Sequence, residues 1–332
     1  MSKAKGLDET KIDKIAKSHM PALGIDLGGT NIRAAAVRDN EIITETERIP
    51  TPDGRDNIIE GILELISKFQ KDVLVGVGIA TAGIVNGDTG EIIGSTGNLP
   101  GWSGTPLKQV LEAKLGIPVH VENDANAAGY AEARIEALKR KRCVVTVTLG
   151  TGIGGGIVMH GRLFRGANWA AGEVGHIKIA LDNKRLCTCG LFDCWEAYGA
   201  GRGVIQTAQE LLEGVTEAQS PLAKNVDEIT TYEIFDAGDA GDIMAQKIVN
   251  RWHEHISHGL VNIAHILNPD CFVITGGLSE NIDFRLLEDM VADRSLPRVG
   301  ESIEIRQSAL QGQAGIIGAA QFVSDEFLST RK

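Results

Sequence analysis

Residues Asp26–Asn31 read DLGGTN and join two predicted strands, Ala22–Asp26 and Ile32–Val37. A second glycine-rich stretch, Gly150–Gly156 with the sequence GTGIGGG, follows the predicted strand Cys143–Leu149 and leads into another. Two similar strand–turn–strand units, about one domain apart, favour two comparable halves. Helical patterns separate the strands in each half, so the sequence predicts a two-domain α/β fold.

Each glycine turn has the features of a phosphate-binding turn. Adjacent Gly28 and Gly29 let the backbone bring its N–H groups close to an anion, and Thr30 adds a hydroxyl. Asp26, at the end of its strand, is suited to hold Mg²⁺ directly or through water. A lone turn of this kind is more typical of an ordinary β-hairpin. The second turn, with Thr151 and Gly152, makes a pair of phosphate hairpins the stronger interpretation.

The stretch Gly150–Gly156 also contains the spacing GxGxxG of dinucleotide-binding proteins. That fingerprint has to open a helix, whereas here the apolar, strand-like run Ile157–Met159 follows. The chain contains no Gly-Lys dipeptide, so it has no P-loop either. Both common nucleotide motifs are therefore excluded.

Composition and net charge limit the partners and the cellular location that we expect for this protein. The 332 residues carry a net charge of −11, which argues against a nucleic-acid or anionic-membrane surface. No apolar run reaches the ~18–20 residues that span a bilayer, and no signal peptide opens the chain. We expect a cytoplasmic protein without nucleic-acid or membrane partners.

The domain boundary is predicted near Asn123. We expect a small domain over residues 21–122 and a large domain over 123–311, with a C-terminal helix at about 312–324 returning to the first domain. Residues 1–20 are Lys-rich and lack strong periodicity, so they are predicted to be a poorly ordered extension and are left out of the fold argument.

Asn123 and Asp124 lie between a predicted strand that ends at Glu122 and a predicted helix that begins at Ala125. Ligands of open α/β sheets bind beyond the carboxyl ends of the strands, so Asp124 is a candidate catalytic base. The alternative is that either residue merely caps the helix.

Four potential metal ligands follow within one short segment: His176, Cys187, Cys189 and Cys194. One His and three Cys form a closed tetrahedral zinc site, which is structural because no coordination position is left open. The alternative is that these are small buried core residues, the interpretation that we give to Cys143 and Cys271 in their apolar strands.

In order and combination, these motifs resemble the ROK family of repressors, open reading frames and sugar kinases, and most closely its bacterial glucokinases. The resemblance covers about Ala22 to Phe322. The matching elements are DLGGT from Asp26, NLPGW at Asn98–Trp102, END at Glu122–Asp124, GTGIGGG at Gly150–Gly156, GEVGH at Gly172–His176, and CxCG ahead of Cys194 and Glu196.

The resemblance implies a fold like that of actin and hexokinase, a duplicated ribonuclease H-like fold in which ATP and a hexose meet in a cleft between domains. Asp124 would then accept the proton of the sugar 6-hydroxyl, Mg²⁺ would accompany ATP, and zinc would be structural. Family members commonly form homodimers, and a dimer of dimers is also open. The residues implied to bind sugar are Gly83, Asn98, Asn123, Asp124, Glu173, His176 and Glu196. Those implied to surround the nucleotide are Asp26, Gly28, Gly29, Thr30, Thr151, Gly152, Gly276 and Gly277.

One residue departs from the family pattern. Asp193 stands where the family usually has Gly before the third Cys, so we expect a mildly strained backbone there. The hexose is left open among glucose, mannose, N-acetylmannosamine, allose and fructose. A sugar-sensing repressor is disfavoured, because only about twenty residues precede the first strand, too few for a helix-turn-helix. A non-catalytic sugar-binding module is disfavoured by the two hairpins and Asp124.

Overall fold

The structure, a computed structural model, describes residues 20–94 and 99–329. The predicted N-terminal extension up to residue 19 and the predicted sugar ligand Asn98 lie outside the described residues. None of the helices in the described part of the chain combines the length and the apolar character needed to cross a membrane.

The chain divides into two compact units. The first contains the described residues up to Ile135, the segment Arg165–Ala170 and the chain from Gln313 onwards, and the second contains 136–164 and 171–312. The predicted boundary near Asn123 thus lies inside the first unit, because the helix that follows Asn123 packs against the C-terminal helix.

The first unit is built on a mixed sheet. Strand β1 pairs with β2 as an antiparallel hairpin and with β5 in parallel, and β5 pairs with β8 in parallel. The strands β3 and β4 extend the sheet beyond β2, while β6 and β7 form a separate hairpin. The strands are Ala22–Leu27 (β1), Asn31–Arg38 (β2), Glu41–Ile42 (β3), Glu47–Pro50 (β4), Val77–Thr81 (β5), Ile84–Val85 (β6), Ile92–Gly94 (β7) and Val119–Asn123 (β8).

The helices of the first unit bury apolar faces against this sheet. The C-terminal helix lies directly on β5, where a Cβ atom at Gly78 would be 1.8 Å from the carbonyl oxygen of Ala319. Only glycine permits an approach this close. The helices are Arg55–Ser67 (α1), Leu107–Leu115 (α2), Asp124–Glu132 (α3) and, at the C-terminus, Ala314–Ser329 (α10).

The second unit repeats the strand pattern. Strand β9 pairs with β10 as an antiparallel hairpin and with β12 in parallel, and β12 pairs with β13 in parallel. The order β10-β9-β12-β13 therefore matches β2-β1-β5-β8, as the repeated glycine turns predict. The strands are Cys143–Leu149 (β9), Ile153–Met159 (β10), Arg162–Leu163 (β11), Cys271–Thr275 (β12) and Glu304–Gln307 (β13).

Helices pack on the second sheet around buried Trp195 and Trp252. They are Glu196–Gly199 (α4), Gly201–Leu212 (α5), Thr231–Asp239 (α6), Ile243–Leu267 (α7), Phe284–Arg294 (α8) and Pro297–Gly300 (α9). Short 3-10 helices occur at Lys71–Val73, Val174–His176, Pro221–Glu228, Ser279–Asn281 and Gln311–Gln313. The prediction of a two-domain α/β fold of the actin and hexokinase type is confirmed.

Candidate functional site

The first unit gathers its predicted site residues at one edge of the sheet. Leu27 of β1 is in register with Thr81 of β5, which is in register with Asn123 of β8. The parallel strands thus end together, and the turns that follow them lie side by side. This edge carries the predicted sugar residues Gly83, Asn123 and Asp124 together with the predicted nucleotide residues Asp26, Gly28, Gly29 and Thr30.

The helix cap after β8 is Asn123. Its side-chain oxygen accepts a hydrogen bond from the backbone N–H of Asn126 at 3.0 Å, and its amide nitrogen donates to the carbonyl oxygen of Gly83 at 3.0 Å. Asp124 is the first helical residue, half-buried, and accepts from the N–H of Ala125 at 2.9 Å. Because Asn123 caps the helix, capping does not account for a carboxylate at position 124.

The first glycine hairpin turns over Gly28–Asn31, whose ends are joined by a hydrogen bond of 3.0 Å from the Gly28 N–H to the Asn31 carbonyl. Gly29 and Thr30 are exposed, so their backbone groups are accessible to a ligand. Asp26 pairs across the hairpin with Arg33, its register partner, and their side chains form an ion pair. The Asp26 side chain is 17% exposed, which leaves its carboxylate accessible beside the turn.

The second unit places its hairpin beside the end of β12. Gly150–Gly152 follows β9, and the N–H of Leu278, just after Gly276 and Gly277, donates to the carbonyl of Leu149 at 3.2 Å. A cavity of about 550 Å³ opens next to them. This volume falls within the range of small-molecule sites. Its lining includes Gly150, Thr151, Glu196, Arg202, Phe235 and Gly277.

The four predicted metal ligands form one cluster, with their ligand atoms all within 4.8 Å of one another. The Sγ of Cys187 lies 3.7 Å from Nδ1 of His176, and the Sγ atoms of Cys189 and Cys194 are also 3.7 Å apart. In a tetrahedral zinc site, Zn–S bonds of ~2.3 Å and Zn–N bonds of ~2.0–2.1 Å separate neighbouring ligand atoms by about 3.6–3.8 Å. The donor set and these spacings fit a structural Zn²⁺.

Burial and a nearby lysine act on the thiols of the cluster. Burial raises the pKa of the Cys187 thiol to about 12, so without a cation this thiol stays protonated. Metal binding would release that proton. Lys178, which the sequence did not single out, donates from Nζ to the Sγ of Cys194 at 3.2 Å and would help to stabilise a thiolate.

Local turns bring the ligands together. His176 ends the 3-10 helix Val174–His176, and Cys187–Gly190 forms a tight turn in which the Gly190 N–H donates to the Cys187 carbonyl at 3.0 Å. Gly175 lies against β10, where a Cβ atom would be 2.1 Å from the carbonyl oxygen of Ile153. Because no side chain fits at 175, this contact fixes the backbone that carries His176.

The cluster also places three predicted sugar ligands. Nδ1 of His176 faces Cys187, while its Nε2 is 3.9 Å from a carboxylate oxygen of half-exposed Glu173. One carboxylate oxygen of Glu196 accepts from the Thr188 hydroxyl at 2.7 Å, and the other accepts from the Ile153 N–H at 3.0 Å. Glu196 thus links the cysteine loop to the glycine hairpin.

Burial raises the pKa of the Glu173 carboxyl, and the neighbouring charges act in opposite directions: His176 lowers it and Glu196 raises it. The net effect is a pKa above the usual range of Glu.

Asp193 has the left-handed backbone that the sequence predicts at this position, with φ of 58°. Its side chain offsets the strain of this backbone conformation by accepting hydrogen bonds. One carboxylate oxygen accepts from the N–H groups of Lys184 and Arg185 at 3.1 and 3.0 Å, and from the Tyr198 hydroxyl at 2.7 Å. A glycine here would have the backbone freedom but none of these contacts.

Comparison with known proteins identifies the family. Residues 22–326 match the ROK family. The chain is 35% identical over 324 residues to a glucokinase of Halalkalibacterium halodurans, an alignment covering 93% of this chain and 97% of the relative. It is 32% identical to an N-acetyl-D-glucosamine kinase of Vibrio vulnificus, over 90% of this chain and 97% of the relative.

Among solved structures, a ROK glucokinase from Streptomyces griseus in complex with glucose and AMPPNP superposes with a TM-score of 0.74. It is 31% identical in sequence, and the match covers 91% of this chain and 98% of that chain. This protein belongs to the ROK family.

Proposed function

We propose that this protein is an ATP-dependent hexokinase that phosphorylates the 6-hydroxyl of glucose. It is a sugar kinase by its ROK fold and by its kinase relatives. The observation that carries the choice of a sugar site is the cluster of His176, Cys187, Cys189 and Cys194, which holds the side chains of Glu173 and Glu196 at one place.

The residues proposed to hydrogen-bond the sugar hydroxyls are Gly83, Asn98, Asn123, Glu173, His176 and Glu196. Asp124 accepts the proton of the 6-hydroxyl late in the transfer. General-base assistance of this kind typically contributes ~10²–10⁴ in rate.

The zinc, when bound, holds the loop and fixes the tautomer of His176. With Nδ1 turned to the cysteines, the proton is on Nε2, which can donate to a sugar oxygen or to Glu173. Four protein ligands would complete a tetrahedral zinc coordination, so the zinc would take no direct part in the transfer.

The nucleotide is assigned to the two glycine hairpins. The N–H groups of Gly28–Thr30 and of Thr151–Gly152 would steady the phosphates, and Asp26 would bind Mg²⁺. The cavity beside Gly276 and Gly277 would accept the adenosine. Phosphoryl transfer needs mainly positioning and charge stabilisation, which backbone dipoles and a divalent cation supply.

The test is a coupled ADP-release assay with ATP and Mg²⁺ across a panel of hexoses. Glucose should give the highest kcat/KM, and omission of the hexose should reduce ADP release to background. ADP release that no hexose stimulates would refute a hexokinase. Light scattering on the same preparation tests the predicted homodimer.

The second candidate is an N-acetylhexosamine kinase, which the relative from Vibrio vulnificus supports. The two differ at one sugar substituent, a hydroxyl or an acetamido group, which a few contacts decide. A higher kcat/KM for N-acetylglucosamine than for glucose in the same panel would select it.

A further inference from the structure

Glu122, the residue before Asn123 and Asp124, forms a buried ion pair with Arg165. The Glu122 side chain is 1% exposed, and one of its oxygens accepts from both Nε and Nη2 of Arg165 at 2.7 Å. Its other oxygen accepts from the backbone N–H of Asn123 and from the side-chain amide of Asn126, each at 3.0 Å. A buried carboxylate needs such partners, because removing one leaves an uncompensated charge.

Arg165 is the first residue of a short segment that belongs to a different unit from its neighbours in sequence. Residues 165–170 belong to the first unit, although the chain on both sides of them belongs to the second. The segment is followed directly by Ala171 and by the loop Gly172–His176, which carries Glu173 and the metal ligand His176. Arg165 thus lies in the first unit, a few residues before this loop begins.

A second observation points to the same segment. Trp169 has φ of 58°, a conformation that is a genuine outlier for a bulky residue and that clusters at functional sites. Trp169 and Arg165 both lie against Gly87, in the turn between β6 and β7. A Cβ atom at Gly87 would be 3.0 Å from Cδ1 of Trp169 and 3.0 Å from Cδ of Arg165.

We propose that Arg165 is a positioning residue, which acts through Glu122 on one side and through the chain to Gly172–His176 on the other. Its guanidinium holds the segment 165–170, which leads into the loop, to the strand end that carries Asn123 and Asp124. This assignment rests on the proposed function, because it presumes that both segments bind one sugar. Arg165 itself contacts no reacting atom in this scheme.

The geometry explains why an arginine is needed. The planar guanidinium presents two N–H groups to one carboxylate oxygen, and its face lies 5.3 Å from the ring centroid of Phe322. A lysine would keep the charge but lose this fixed orientation. Arg165 therefore contributes a fixed position of the segment 165–170, and not only a positive charge.

The chain offers a matched control in Arg134. It pairs with Asp325 at 2.8 Å and lies over Tyr130, which stacks on the same Phe322 ring. Its side chain is 33% exposed, against 28% for Arg165. Arg134→Gln therefore removes an ion pair from the same aromatic stack without touching the segment 165–170, although its partner Asp325 is 38% exposed and Glu122 only 1%.

The experiment compares Arg165→Gln, Arg165→Lys and Arg134→Gln in the full chain. For each variant we measure thermal unfolding, the calorimetric Kd for glucose and for an ATP analogue, and amide hydrogen exchange. For Arg165→Gln we expect the glucose Kd to rise about tenfold or more. The nucleotide Kd should stay within about twofold, and amides of Gly172–His176 should exchange faster. Arg165→Lys should give values between those of Arg165→Gln and the wild type, and Arg134→Gln should resemble the wild type.

The proposal is overturned if Arg165→Gln and Arg134→Gln match in glucose Kd and in exchange at Gly172–His176. Should Arg165→Gln fail to fold, the double variant Glu122→Gln/Arg165→Gln, which leaves no unpaired charge, serves for the same comparison. A wild-type protein that binds no hexose would refute the proposed function. The exchange rates would still decide the role of Arg165, because they require no sugar.

Discussion

The two sets of predicted sugar residues are held in different ways. In the first unit, Asn123 and Asp124 stand at the junction of β8 and α3, and regular secondary structure fixes their positions. In the second unit, Glu173 precedes a short 3-10 helix and Glu196 begins the four-residue helix α4, and both lie beside the cluster of His176 and three cysteines. Sheet and helix hydrogen bonds position the first carboxylate, whereas the second set is proposed to depend on a metal bound at the cluster.

This difference predicts different failures. Substitutions at the strand end of β8 should impair phosphoryl transfer while sugar binding persists, because the backbone there is supported independently of the substituted side chain. Loss of the cluster should abolish binding of the sugar, because the cluster joins the segments that carry Glu173 and Glu196.

The largest effect is expected for Asp124→Asn. Loss of the base should lower kcat by ~10²–10⁴ while the glucose Kd and the melting temperature change little. Rapid-quench or coupled kinetics together with calorimetry measure this. The control Asp56→Asn, an exposed aspartate in the first turn of α1, should retain activity. A near-normal kcat in Asp124→Asn would remove Asp124 from the role of base.

The next effect concerns the metal. Metal analysis should find about one zinc per chain, and Cys187→Ala should lose it together with glucose binding, because the loop is released. Nucleotide binding should be affected less. Cys271→Ala, which removes a buried thiol from β12, is the matched control and should keep both zinc and glucose affinity. Full glucose affinity in a zinc-free protein would contradict the assignment.

A smaller effect is expected from glycine substitutions. Gly175→Ala would place a Cβ 2.1 Å from the Ile153 carbonyl and displace His176, so the glucose KM should rise about tenfold or more. Gly78→Ala meets Ala319 at 1.8 Å in the first unit and should mainly lower the melting temperature. Steady-state kinetics and thermal unfolding separate the two. If both variants lost the same stability and had the same glucose KM, the two glycines would not differ in role, which would contradict this prediction.

The smallest effect is a pH dependence in the first unit. Burial lowers the pKa of His120, but hydrogen bonds and charges from Glu122 and Glu326 outweigh it, and the net pKa lies above 6.5. Lys108 and Arg165 also act on these carboxylates. The stabilisation by protonated His120 is therefore present below pH 6.5 and is lost as the pH rises through the raised pKa.

His120→Gln should accordingly show a smaller loss of unfolding free energy than the wild type as the pH rises above 6.5, in urea titrations. Parallel pH profiles for the two proteins would show that His120 does not titrate as described. Glu122 and Glu326, whose pKa values are lowered, act on the acid side and leave this window unaffected.

The sequence predicted much of this fold because the decisive signals were local. The glycine turns, the strands that flank them and the Cys spacing can be read from consecutive residues. Between residues 41 and 50 the chain forms two short strands, β3 and β4, and it turns between them where the Thr44 hydroxyl accepts a hydrogen bond from the backbone N–H of Ala36. Strand β10 starts at Ile153, earlier than predicted, because cross-strand pairing tolerates its glycines.

What the sequence missed depends on contacts between distant residues. Arg165 lies 43 positions from Glu122, and no local pattern marks either as a partner. Lys178 resembles any surface lysine until its amine is seen beside Cys194. The roles of the predicted site residues also stay predictions, since each unit gathers its own set and ligand binding has to show that they act on one sugar.

The most direct test is a crystal structure of the protein with glucose and an ATP analogue. The account predicts the Asp124 carboxylate within ~2.6–3.2 Å of the sugar 6-hydroxyl, with Glu173, His176 and Glu196 bonded to other hydroxyls of the same molecule. Glucose bound at a distance from Asp124, or bound without contact to the cysteine-held loop, would contradict it.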